Sequence, residues 1–464
     1  MANRNIPLFI AFRTLFNGRF YYPVFAILFL DYGLSMAQFA VLNAVWAGTS
    51  IVLEVPSGAM ADVMGRKRLL VLSSICMVLE MALLAFVPLG NVSLVFGAFL
   101  LNRILSGAAE SFASGADEAL TYDSLPDDGQ RESAWATILE RCMRWQSAFF
   151  IVASMVGAAV YDAGFINGFA TKMGLDFHLA RETAIRFPIY LTLCTALGTV
   201  AVTLCMRELP HPEAAGPKPG LLQLWKAAFS QTLGTGRWIL ATKAVMAVLL
   251  AGVFLDSVIR LFLTVGSQYY RLIGLPEASF GLVGTGMAML GMFTPTLAKA
   301  LQVRFAPGTN FFITGLSTFV ALAGAALALH FYGIIFAGLI MITMSCTQYF
   351  MSTSLNRLAR PEQRATLLSF RGLLINFAYG TTTLVFGAIM NALKPGVTAG
   401  AATGAPGLAG PDLDKYIENQ TLWSFLKYYP IYFLLAGGLV GFGYWLLSRG
   451  SKLTTTAEAE AKPV

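Results

Sequence analysis

Charge is scarce in this sequence. Asp, Glu, Lys and Arg make up 12% of its 464 residues, about half of the roughly 25% usual in a soluble domain. With 56% of the residues hydrophobic, a water-soluble globule is excluded. Alternation of polar and apolar residues over about ten positions is missing, which excludes a transmembrane β-barrel. No G-x-x-x-x-G-K-S/T loop occurs, which argues against a pump driven by nucleotide hydrolysis. His178, His211 and His330 show no HExxH or paired spacing, and Cys76, Cys142, Cys194, Cys205 and Cys346 fall in or beside apolar stretches. The cysteines read as small buried hydrophobes, and no metal or cofactor is expected. A membrane enzyme or a non-transporting receptor would need a clustered nucleophile and base or a metal site, and none is visible. No small-residue cleavage site follows the first apolar stretch, so that stretch is expected to remain as a helix.

What the chain has instead is long apolar windows. Each is close to the 20 residues that cross a hydrocarbon core of about 30 Å as a helix. Twelve spans are predicted: 8–32, 37–60, 69–88, 93–114, 138–162, 187–206, 240–265, 277–300, 310–329, 331–353, 367–392 and 428–448. The expected fold is therefore an all-α membrane protein of two six-helix halves, 1–206 and 238–448, with a linker at 207–237 and a tail at 449–464. If both termini are cytoplasmic, roughly 21 Lys and Arg fall on inner loops and about 7 on outer ones, which sets the orientation. The net charge of +7 then reflects sidedness, and no nucleic-acid partner is needed.

The linker begins RELPHPEAAGPKPG, a hinge composition, and continues into LLQLWKAAF (221–229), whose apolar spacing suits a helix on the membrane surface. The Gly, Ala and Pro of residues 394–412 predict a flexible outer loop. Glycine runs from Gly281 and Gly437 are expected to let helices approach closely.

Between the second and third spans stands GAMADVMGRKR, Gly58 to Arg68. Gly65 suits a tight reversal, and Arg66, Lys67 and Arg68 hold the loop in the cytoplasm. Asp62 is the odd member, because a carboxylate near a helix C-terminus needs a facing cation or helix N-terminus. The loop resembles the signature of the major facilitator superfamily at Gly58, Asp62, Gly65, Arg66 and Arg68. In the fourth span, Arg103 and Gly107 resemble that family's Arg, three residues, Gly pattern. EVPSG (54–58) and GADEALTYDSL (115–125) resemble a bacterial permease branch, whereas the C-terminal half matches by layout and by RATLLS from Arg364. The resemblance implies that Asp62 latches the two halves, with Arg66 or Arg371 as partner. The fifth span has Ala153, Gly157 and Ala158 but no Gly-Pro pair, so the family's antiporter motif is missing.

An ionisable side chain inside the bilayer is a pathway or relay candidate by default, because it costs at least about 2.5 kcal/mol to place there. Asp256, Glu110, Glu54 and Arg103 are the proton-coupling candidates. Arg103 and Glu110 are two helical turns apart on one face, roughly 10 Å along the axis. Asp256 and Arg260 stand at i and i+4, which suits either coupling or a plain structural pair. Glu54 precedes Pro56, which can kink the second span near a gate. Arg19 is central in the first span and is expected either to bind an anionic substrate or to meet a carboxylate of another helix. Asp31 and Glu80 are expected at solvated interfaces. The substrate-cavity candidates are Arg19, Tyr22, Asn43, Trp46, Arg260, Tyr349, Asn376 and Tyr379, with Asn102, Trp145 and Gln348 as further polar or aromatic residues.

The expected function is secondary transport of a small organic solute across a bacterial cytoplasmic membrane by alternating access, as a lipid-embedded monomer. Proton coupling and efflux are the preferred form. An importer or facilitator of a metabolite or siderophore is the alternative.

Overall fold

The computed structural model describes residues 4–126, 129–208, 242–358 and 361–450 with positions 223, 226, 230 and 239; the side chains of 55, 59, 62, 63, 361–366, 402, 403, 411 and 448–450 fall outside it. Most of the linker, the 221–229 segment and most of the tail therefore lie outside the described residues. Among those described, every regular element is helical. Eleven helices are long and apolar enough to span a membrane.

The remaining crossing is the first, and it is broken. It was expected as one helix over 8–32 but consists of α1 (Asn5–Asn17), a 3-10 turn at Tyr22–Val24 and α2 (Phe25–Asp31). Asn17 and Gly18 are weak helix formers, and Pro23 follows. Backbone donors freed by the break are met by other helices: Phe20 N–H donates to Thr192 Oγ1 at 3.1 Å and Ala26 N–H to Ser267 Oγ at 2.9 Å. That satisfaction is what allows irregular backbone at membrane depth.

The first half continues with α3 (Met36–Met64), α4 (Arg66–Phe86), α5 (Val92–Ala113), α6 (Ala116–Tyr122), α7 (Arg131–Tyr161), α8 (Ala163–Lys172), α9 (Arg181–Ala184) and α10 (Phe187–Cys205). Ser35 and Gln38 form a capping box that starts α3, which runs helically through Pro56. Gly65, at φ +96°, reverses the chain into α4. Asn91 caps α5 by accepting from Leu94 N–H at 3.1 Å.

The second half contains α11 (Lys243–Thr264), α12 (Gly266–Leu272), α13 (Phe280–Arg304), α14 (Pro307–Ala326), α15 (Ile334–Leu358), α16 (Pro361–Gly404) and α17 (Gly410–Gly450). The flexible loop expected over 394–412 is instead helix through Gly404, a short turn, and helix again from Gly410. Its alanines are good helix formers, and Lys394 ties α16 to α17 through Glu418 at 2.6 Å.

Among the described residues the halves meet most extensively through α3 with α16 and α7 with α13, and α2 also packs on α12. Gly387 lies where a Cβ would come 2.8 Å from Ala40 Cβ, and one at Gly281 would come 2.4 Å from the Ser154 carbonyl oxygen. The run after Gly437 behaves differently. Gly438, Gly441 and Gly443 face open space beside exposed Leu439 and Phe442, so that face of α17 meets lipid rather than another helix. Cys194 and Cys205 are also exposed, against the expectation of burial. One end of the bundle carries the N-terminus and the α3–α4 turn (the terminal face); the other carries the end of α2, α8, α9 and α12 (the far face).

Candidate functional site

The broken first crossing, α3 and α5 from one half and α11 and α16 from the other enclose a cavity of about 290 Å³ in the middle of the bundle. The break is what turns Arg19, Tyr21 and Tyr22 into its wall. Asn43, Trp46, Arg103, Ser106, Glu110, Arg260, Thr264 and Tyr379 complete the polar and aromatic lining. Of the cavity residues singled out from the sequence, Arg19, Tyr22, Asn43, Trp46, Arg260 and Tyr379 come together here with Arg103 and Glu110. Tyr349 packs against Phe350 instead, and Asn376 is not in the wall. Trp145, on the outer side of α7, is 63% exposed.

Each half brings to the cavity the arginine of one ion pair whose carboxylate is buried behind it. In the first, Arg19 Nη1 donates to Glu80 Oε1 at 2.6 Å and to Tyr21 OH at 3.0 Å. Glu80 is therefore not at a solvated interface: α4 buries it completely, because a guanidinium from another element waits there. In the second pair, Arg260 Nε and Nη2 donate to the two Asp256 oxygens at 2.9 and 3.1 Å. Gln348 also donates to Asp256, and Arg371 Nη2 donates to Gln348 Oε1 at 2.5 Å. Asp256 thus lies behind Arg260, outside the cavity wall.

Arg103 is different. It is buried, its Nε donates to Asn102 Oδ1 at 2.9 Å, and no carboxylate pairs with it among the described residues. The rings of Phe25 and Phe29 lie 5.5 Å from its guanidinium carbon. Such ring contacts are worth roughly 0.5–2 kcal/mol each, against a cost of about 2.5–3.5 kcal/mol or more for an arginine at mid-bilayer. The balance leaves this cation only marginally compensated. Glu110 makes no ion pair among the described residues either, and its carboxylate lies in the field of Arg19, Arg103 and Arg260.

Glu54 is away from the cavity, on the α3 and α16 interface, with Oε1 3.7 Å from where a Cβ on Gly372 would stand. In the signature loop, the Arg66 and Lys67 backbone N–H groups donate to the Glu208 carboxylate at 3.1 and 2.9 Å. Arg66 pairs with Asp123 of the same half, Arg68 is exposed, and Gly58 has open space around it. The Asp62 side chain lies outside the described residues. Glu208 went unnoticed in the sequence; the unfilled N-terminus of α4, which has no capping side chain of its own, was the available signal.

Residues 8–383 match the Major Facilitator Superfamily. The chain belongs to this superfamily. No curated protein sequence matches it. Among solved structures it is similar to a bacterial homologue of the human lysosomal transporter Spinster in an inward-facing, unoccupied conformation, at 16% identity and a TM-score of 0.67, covering 98% of this chain and 99% of that one. The nucleoside transporter NupG aligns at 13% identity and 0.64, covering 98% and 99%, and the E. coli xylose transporter XylE at 12% and 0.55, covering 90% and 94%. As a member of the superfamily, the protein is a multi-pass membrane transporter and not an enzyme.

In this facilitator the far face is sealed by a charge network across the halves. Arg271 Nη2 of α12 reaches Asp31 of α2 at 2.8 Å and Glu277 at 2.7 Å, while Arg181 of α9 reaches the same two carboxylates at 2.7 and 3.0 Å. Tyr161 donates to Asp31 as well. Asp31 is therefore largely buried within this network, contrary to its expected solvation. Among the described residues, every ion pair between the halves lies at this face. A recess of about 490 Å³ at this face is lined by Asp31, Arg181 and Arg271 together with Lys394 and Glu418.

Proposed function

We propose that the protein is a proton-coupled secondary transporter of a small organic solute in a bacterial cytoplasmic membrane, with its terminal face in the cytoplasm. The halves 1–206 and 238–448 rock about the central cavity, and 207–237 links them. The observation that carries this reading is Glu110, a carboxylate without an ion pair in a cavity walled by Arg19, Arg103 and Arg260. A carboxylate in that position gains or loses a proton as the cavity fills and empties. Asp256, placed first from the sequence, already holds three hydrogen bonds, so Glu110 takes the coupling role and Asp256 the role of fixing Arg260.

Efflux would require solute and proton to displace one another. The cavity instead lets protonation of Glu110 remove a negative charge while the arginines stay, which favours solute and proton moving together and hence uptake. Proteoliposomes with an imposed pH gradient and a metabolite panel test this. Glu110→Gln should abolish gradient-driven accumulation and spare passive exchange, while Asp256→Asn should weaken both. Full gradient-driven accumulation by Glu110→Gln would remove the proposed coupling.

A further inference from the structure

We infer that the solute is a small organic anion whose carboxylate or phosphate is held by the free guanidinium nitrogens of Arg19 and Arg103. This deepens the transporter reading of the same cavity and rests on it.

Among the described residues, two donors in the cavity wall have no acceptor. Arg19 Nη2 and Arg103 Nη2 are both buried and unbonded, on side chains 2% and 4% exposed. Buried donors are normally satisfied, and charged ones most strictly. For Arg19 the shortfall is partial, since Nη1 is engaged by Glu80 and Tyr21. For Arg103 no carboxylate stands at pairing distance among the described residues, and Glu110 balances its charge only while ionised. The missing group is therefore a negatively charged acceptor with at least two oxygens, which carboxylates and phosphates both provide. A neutral sugar or alcohol would fill the hydrogen bonds and leave the charge unmatched.

The walls describe the rest of the ligand. Tyr22, Phe25, Trp46 and Tyr379 give flat apolar surfaces, with Trp46 edge-on to Tyr379. A volume of about 290 Å³ sits at the small end of small-molecule pockets. A compact anion with a flat or apolar body fits these limits. Glu110 sets the condition for binding: ionised, it competes for the cationic field; protonated, it leaves that field to the ligand.

The test is equilibrium binding to the full-length protein in nanodiscs without any gradient. The probes are aromatic and short alkyl carboxylates, the matching phosphate monoesters, and their neutral amides and alcohols. Wild-type protein should bind at least one anion series ten-fold or more tightly than its neutral counterpart, and the better series tells carboxylate from phosphate. Arg103→Gln should erase that preference, Arg103→Lys should restore part of it, and Glu110→Gln should tighten anion binding and flatten its pH dependence. Size-exclusion profiles check that the variants remain folded. Equal binding of neutral and anionic probes, no binding of any anion, or an unchanged preference in folded Arg103→Gln overturns the inference. Because no gradient is present, anion selectivity without proton-driven uptake would defeat only the coupling reading, and proton-driven uptake of neutral solutes only this one.

Discussion

The two faces of the bundle use similar charges for opposite purposes. At the far face, Asp31, Arg181, Arg271 and Glu277 join one half to the other. At the terminal face, Arg13 binds Asp117 and Glu118, and Arg66 and Arg131 meet Asp123, all inside the first half. A pair that crosses the halves holds a state, because it exists only while they are together at that end. A pair within one half holds the fold, because rocking leaves it intact.

Substitutions should separate these roles, and the largest effect is expected at the far face. Arg271→Gln removes the contact across the halves to the largely buried Asp31, a loss of about 2–3 kcal/mol from the closed state, below the usual cost of breaking a buried pair because Arg181 still meets Asp31. That corresponds to a shift of roughly 30- to 150-fold in the ratio of states. Spin labels on Met173 and Tyr332 should report longer far-face distances; unchanged distances would mean that the network is decoration. Asp62→Asn tests the latch implied at the terminal face. It should shift the balance several-fold the other way, toward the state with the far face closed, and an unmoved balance would leave Asp62 a topology signal only. Asp123→Asn should do least. Its carboxylate is 45% exposed, so solvent screening limits the loss to about 1 kcal/mol or less. A slightly lower Tm with unchanged label distances is the expected outcome, and a shift between states would break the distinction between the faces.

The helices were legible in the sequence because membrane insertion is a local property of about 20 consecutive residues. The signature loop was legible for the same reason: Gly65 and its basic neighbours act where they stand. The break at Gly18 was not, since hydropathy is continuous across it and the tolerance for it comes from Thr192 and Ser267 far along the chain. Nor was the burial of Glu80, because its partner Arg19 stands 61 residues away in another crossing. Trp145 shows a further limit. A soluble protein turns its large aromatics inward, but a bundle in lipid is apolar on both sides, so periodicity does not tell cavity from lipid. The 394–412 stretch misled through composition, where alanine's helix propensity outweighed the glycines.

The close approach of Gly281 to the Ser154 backbone also sets a lever ratio. Ser154 is seven residues from the far end of α7 and twenty-three from its start, arms of about 10 and 35 Å at 1.5 Å per residue. A rotation of about 10° around that fulcrum displaces the short arm by about 2 Å and the long arm by about 6 Å. Two ångströms suffice to part the ion pairs that cross the halves, now 2.8 and 3.0 Å long, while 6 Å at the opposite end is the width of a passing solute. In the proposed rocking motion, one crossing point thus gears a small gate on one side to a wide one on the other.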